Sequence, residues 1–248
     1  MAYGGKLVVY SAGAVDAVNN FEGLSAFHTV MLAGGSASII NAIIGIVLAV
    51  ILVKMKLRPT SRLFLTQLMG MQFVQGIGYM MVGGLFGVGD WGYVYDRLSG
   101  PYPELIGVLQ IVLSIIGCVG IVALFFLLNY LSYYFIQDKD NKKERMHVAF
   151  GLHLMPLIFG IVIGTFITVL SPAVKAGLMS MGTCILFSFM WIPFFWGFMF
   201  TGPMKTLPPK TSRYLYPLPE KANWILLVVG VILVLIDIIV FGPGIYFT

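Results

Sequence analysis

The stretch LIGVLQIVLSIIGCVGIVALFFLLNYLSYYF, Leu105–Phe135, decides the class of fold because it contains no charged residue along its 31 positions. A helix that crosses a bilayer needs about 20 mostly apolar residues, so this stretch is long enough to span with some tilt. The whole chain agrees, since 59% of its 248 residues are hydrophobic and only 10% are charged. Soluble domains carry roughly 45–50% apolar and about 25% charged residues. The sequence therefore predicts a polytopic integral membrane protein.

Five more apolar runs lie on either side of this stretch, and none shows the alternating pattern of an outer-membrane barrel. Helices are then the structures that satisfy every backbone group in lipid. We expect an all-α bundle of about six transmembrane helices that forms one domain over residues 1–248. The predicted spans are His28–Val53, Leu63–Val88, Leu105–Phe135, Val148–Leu170, Ala176–Phe200 and Trp224–Val240.

Basic residues alternate between the connections and so predict an orientation. Twelve of the fifteen lysines and arginines fall in three connections: between spans one and two, three and four, and five and six. Cytoplasmic loops collect such residues, so both termini are expected on the extracytoplasmic side of the plasma membrane. The formal charge of +5 is accordingly an orientation signal, and no nucleic-acid partner is expected.

Two segments outside the spans have a predicted location. Residues 1–27 form an extracytoplasmic N-terminal segment, and residues 201–221 form a cytoplasmic loop. That loop contains five prolines, which fix φ and remove backbone donors, so it is expected to be extended. A plain linker and a docking surface both fit this composition.

Acidic and imidazole groups gather at the outer level of the predicted bundle. Glu22 precedes span one and His28 begins it, Asp90 follows span two, and Asp237 lies near the outer end of the last span. Charges at exposed helix ends are ordinary because such ends reach water. Asp237 lies among apolar residues in VLIDIIV, and we expect it to be protonated or paired with a donor such as Lys175 or His28.

The pattern at these outer ends resembles polytopic zinc metallopeptidases of the site-2-protease type. FEGLS at 21–25 has the spacing of HExxH, LAGG follows at 32–35, and GIGYMMVGGLFGVGDW follows at 76–91. The FGPGI of residues 241–245 adds to the likeness.

Within this resemblance Glu22 matches the general base, and Asp90 is a match for the later acidic ligand. The two histidine ligands fall on Phe21 and Ser25, which would leave zinc without its imidazoles. The resemblance thus implies the scaffold and argues against the activity, and no cofactor is expected. An altered metal site built from Glu22, His28 and Asp90 is the remaining metal hypothesis.

Small and polar residues inside the spans indicate how the helices associate. Gln72, Gln75 and His153 are polar at membrane depth and are predicted to bridge helices, with a pore lining as the alternative. Glycines allow close approach of helices in lipid, where no hydrophobic force drives helices together. The predicted packing glycines are Gly34, Gly35, Gly83, Gly84, Gly160 and Gly164.

Three functions fit these features. The leading hypothesis is a non-catalytic multi-pass protein on a degenerate metallopeptidase-like scaffold, which serves as an accessory subunit among other membrane proteins. The second is a small-molecule or ion transporter or channel, with Asp237, Gln72, Gln75 and Glu22 lining its path. The third is a membrane metallohydrolase with the altered metal site.

Overall fold

The structure is a computed structural model that describes residues 6–10, 15–18, 25–155, 157–159, 161–162, 224–236 and 245–246. The described residues belong to two compact units. One contains the residues from Ser25 to Ile158, and the other contains three short strands and a helix near the end of the chain.

In the larger unit, every regular element among the described residues is helical. Several of its helices contain a wider π-helical turn, which gives the backbone an extra residue without ending the helix. Its elements are α1 (Ala26–Thr29), a π-helical segment (Val30–Gly35), α2 (Ser36–Lys54), α3 (Pro59–Phe73), a second π-helical segment (Val74–Gly78), α4 (Tyr79–Phe86), α5 (Asp90–Leu98), α6 (Pro103–Ser132), a 3₁₀ turn (Tyr133–Phe135), α7 (Lys142–Ala149) and a third π-helical segment (Phe150–Leu154). Because α3, the π-helical segment after it and α4 are contiguous, we call Pro59–Phe86 the central segment.

Two helices of the described residues are long and apolar enough to cross a membrane, namely Ser36–Lys54 and Pro103–Phe135. A third candidate is the central segment together with α5, which meet at a bend of 45° and form either a broken span or a re-entrant loop. The predicted helical membrane architecture is therefore confirmed at this coarser level. Six spans and outward-facing termini remain predictions, and most of predicted spans four and five lies outside the described residues.

The smaller unit contains a short antiparallel sheet. Strand β1 (Lys6–Tyr10) pairs on one side with β2 (Val15–Val18) and on the other with β3 (Ile245–Tyr246). The unit also contains α8 (Trp224–Ile236), inside the sixth predicted span. An all-α prediction did not include these strands, because runs of two to five residues carry little periodic signal, although Val and Tyr favour strands.

Proline and glycine set several helix boundaries in the larger unit. Pro59 and Pro103 stand in the first turn of α3 and α6, where the missing N–H has no helical partner to lose. Gly87 ends α4 in the left-handed region, with φ 62° and ψ 38°. Gly89 also has a positive φ of 64°, so two glycines turn the chain from α4 into α5.

Glycines also hold the central segment against its two neighbours. A Cβ atom built on Gly76 would lie 2.7 Å from the backbone nitrogen of Ala42 in α2. One built on Gly84 would lie 2.6 Å from the backbone nitrogen of Ser114 in α6, and Gly117 of α6 contacts the central segment in the same way. The central segment therefore packs between α2 and α6 at distances that only glycine permits.

Candidate functional site

The predicted metal site would use Glu22, His28 and Asp90, of which the structure describes His28 and Asp90. His28 is exposed, and its Nδ1 lies 2.7 Å from the hydroxyl of Ser25. Asp90 begins α5, and its backbone N–H donates to the Tyr79 hydroxyl at 2.9 Å. Within the described ranges, no three His, Cys, Asp or Glu side chains come close enough to hold a metal ion. Phe21 and Glu22 lie outside the described residues, so the altered metal site stays a prediction.

After the turn at Gly87 and Gly89, α5 packs against the ends of neighbouring helices. The Trp91 ring covers Gly83 on α4 and Gly34 before α2, since a Cβ on either glycine would collide with that ring. Gly35 beside it is buried, and Gly84 faces α6. Gly34 and Gly83, one from each glycine pair of the sequence, thus meet the same ring, whereas Gly84 contacts α6.

Helix α5 is amphipathic and lies with its apolar side inward. Val94 and Leu98 are buried with Trp91, and the Tyr95 hydroxyl donates to the Gly83 carbonyl at 3.2 Å. Arg97 is on the exposed side and donates to the Tyr93 hydroxyl at 3.0 Å. Aromatic residues with a polar tip are typical of the membrane–water boundary, so α5 has the composition of an interfacial helix.

At the other end of the bundle, Arg62, which directly precedes predicted span two, is buried and belongs to α3. Its exposed fraction is 2%, its Nη2 donates to the Leu52 carbonyl at 2.6 Å, and its guanidinium lies 3.8 Å from the centroid of the Tyr134 ring. The helix begins earlier than predicted, since α3 starts at Pro59, four residues before the predicted start of span two at Leu63. Arg62 therefore joins the end of α2 to the end of α6.

His153 is fully buried and contacts Ser132 on α6, with its Nε2 2.8 Å from the serine hydroxyl. The Ser132 hydroxyl donates to the Leu128 carbonyl at 2.6 Å. Because this donation uses the only proton of the hydroxyl, the imidazole acts as the donor to Ser132. A nucleophilic serine needs the opposite polarity, in which the hydroxyl gives its proton to the histidine. The pair therefore links two helices and does not form an activated nucleophile.

Other polar side chains within the helices also bond to backbone carbonyls. Gln67 donates to Leu152 at 2.7 Å and so connects α3 to the π-helical segment after α7. Thr66 donates to the Arg62 carbonyl and Asn129 to the Phe125 carbonyl, each one turn back in its own helix. Such bonds satisfy polar groups where water is absent.

The two glutamines at the middle of the central segment differ from this pattern. Gln75 is exposed, and the described residues provide it with no hydrogen bond. Gln72 is half-buried, and its Oε1 is buried without a hydrogen-bond partner among the described residues. Two large apolar side chains lie on the same side of the helix as Gln75. Met71, four residues before Gln75, is 44% exposed, and Phe64, seven residues before Met71, is 64% exposed.

The depth of Gln75 follows from its position in the helix. It lies 11 residues before Phe86, the last residue of α4. At 1.5 Å per residue this is about 16 Å. The hydrocarbon core of a bilayer is about 30 Å thick, so a central segment that spans it places Gln75 near the midplane. An exposed carboxamide at this depth is the unusual feature of the described bundle.

Asp237, Gly160 and Gly164 lie outside the described residues, and their predicted roles stay predictions. Comparison of the chain with protein-family models, with curated proteins and with solved structures finds no match. Its function is therefore inferred from its own residues.

Proposed function

We propose that the protein is a non-catalytic multi-pass membrane protein that serves as a structural subunit of a larger membrane complex. One observation carries the proposal: Gln67, Asn129 and His153 form hydrogen bonds inside the bundle, whereas Gln75 faces outward at mid-depth. A plasma-membrane location, outward termini and a degenerate metallopeptidase-like scaffold belong to the same proposal.

The chemistry of the carboxamide favours association. A buried amide without a hydrogen bond costs roughly 2–7 kcal/mol, depending on the reference medium. In lipid this cost is removed when a helix of another protein supplies a donor or acceptor. A carboxamide does not titrate and is a poor nucleophile, so Gln75 is suited to recognition and unsuited to catalysis.

The surrounding bundle suits a scaffold role. Glycine contacts fix the central segment between α2 and α6 with backbone atoms in direct contact, which leaves little room for adjustment. The outer surfaces of α2 and α6 are aliphatic and need only acyl chains around them, as the exposure of Ile43 and Val119 illustrates. The exposed side of the central segment is then the surface that requires a protein partner.

Gentle extraction from native membranes followed by native mass measurement tests this proposal. The chain alone has a mass of 27.3 kDa. We expect a larger species that contains this chain together with further protein and that persists through dilution. A chain that is recovered only as the 27.3 kDa monomer at every detergent concentration contradicts the proposal.

A transporter or channel is the second candidate, and Gln72 is the observation that favours it. Its buried Oε1 accepts no hydrogen bond among the described residues, and a passing water or solute could supply one. A flux assay in liposomes with Gln72→Leu and Asp237→Asn tests this function. Flux that is lost in these variants and kept in Gly107→Ala, a change into open space, would favour transport over assembly.

A further inference from the structure

We infer that the partner at Gln75 is a second copy of this chain, which meets the first through the exposed side of the central segment. This inference deepens the proposed function and depends on it. The contact surface consists of Phe64, Met71 and Gln75, all exposed and on one side of the helix. Its two large side chains are apolar, with one carboxamide at mid-depth.

Depth and symmetry favour a second copy over another protein. Two copies inserted with the same topology place Gln75 at the same level of the bilayer. A two-fold axis along the membrane normal then brings each residue of the surface opposite itself. An unrelated partner would need its own polar side chain at that level.

The carboxamide is suited to such a self-contact. It has an acceptor oxygen and two donor hydrogens, so two Gln75 side chains can each donate to the other and accept from it. A charged group in this position would repel its own copy.

The rest of the contact surface suits close packing. Met71 precedes Gln75 by one turn, and its unbranched side chain adapts to an irregular neighbour. Gln75 lies within the π-helical segment Val74–Gly78, so the wider turn lies at the point where the two copies would meet. Such turns often occur at functional sites of helices.

Thiol cross-linking in membranes tests the inference. The chain has two cysteines, Cys118 and Cys184. In a Cys118→Ser, Cys184→Ser background, Met71→Cys places one thiol on the contact surface and leaves Gln75 intact. The matched control carries only Cys184→Ser, because Cys118 is exposed in the middle of α6 and therefore has a similar depth.

We expect a short bismaleimide to convert the Met71→Cys chain into a dimer of twice 27.3 kDa and to leave the Cys118 control monomeric. Adding Gln75→Leu should weaken dimerisation about tenfold, since each copy would lose an interhelical hydrogen bond in lipid. Gln75→Asn keeps a carboxamide and should retain most of the association. The leucine variant should fold normally, because the side chain is exposed in the single chain.

Three results would overturn the inference: equal cross-linking of Met71→Cys and the control, no dimer at Met71→Cys, or no effect of Gln75→Leu on the dimer. A native complex that contains other proteins but forms no Met71→Cys dimer would leave the proposed function standing and remove only the second copy. A chain that is alone in every measurement removes both.

Discussion

Replacing Gly76 by alanine tests the packing of the central segment most sharply. A Cβ at this position would lie 2.7 Å from the Ala42 nitrogen and 2.8 Å from the Ser38 carbonyl oxygen. Ordinary contacts begin at 3.4 Å, so α2 and the central segment would have to separate by about 0.7 Å. Both obstructing atoms are backbone, and neither can rotate away.

The cost can be estimated from two opposing effects. Overpacking a close-packed interior typically costs about 1–3 kcal/mol. Alanine in a helix recovers about 0.5–1 kcal/mol relative to glycine. We therefore expect Gly76→Ala to lower the free energy of unfolding by up to about 2.5 kcal/mol, and by about 1–3 kcal/mol relative to an alanine that meets no obstruction. Denaturant titration of the purified protein in mixed micelles, followed by near-ultraviolet circular dichroism, measures this change.

Gly107→Ala is the matched control, because a Cβ on Gly107 meets no atom within 4 Å. Its free energy of unfolding should stay unchanged or rise by up to about 1 kcal/mol. Equal stabilities of the two variants would refute the close approach of α2 to the central segment.

Three further predictions concern residues of the larger unit. Arg62→Met removes the donor to the Leu52 carbonyl and should lower the free energy of unfolding by about 1–3 kcal/mol, measured by thermal unfolding in detergent. Trp91→Ala removes the ring that packs α5 against its neighbours and should cost about 3–5 kcal/mol, with faster proteolysis near the turn as the readout. For topology, a single cysteine at Asp96 should react with an impermeant maleimide on intact cells, and one at Lys143 only after permeabilisation. The reverse labelling would invert the predicted orientation.

The class of fold could be predicted because its determinants are local in sequence. Leu105–Phe135 contains no charged residue, and in the structure Pro103–Phe135 is a continuous helix that is long and apolar enough to cross a membrane. Gly87 and Gly89 turn the chain at positive φ, a conformation that glycine itself favours. Helix starts were less accurate, since a proline can stand inside the first turn and move a basic residue such as Arg62 into the helix.

Cross-helix contacts could not be read from the sequence, because they depend on which sides of the helices meet. Ser132 is 21 residues from His153, and no spacing rule links the two. Likewise Gln72 and Gln75 were both identified as polar at membrane depth, but which one faces outward depends on the π-helical segment Val74–Gly78 and on packing against α2 and α6.

The central claim is that protein covers the exposed side of the central segment, and spin-label accessibility at Met71→Cys in lipid tests it most directly. The Cys118→Ser, Cys184→Ser background isolates the label, and a label on Cys118 of α6 provides the lipid-facing reference. We expect the Met71 label to collide rarely with both oxygen and a water-soluble nickel reagent. Oxygen collisions as frequent as at Cys118 would show bare lipid, frequent nickel collisions would show a water path, and either result would contradict the account.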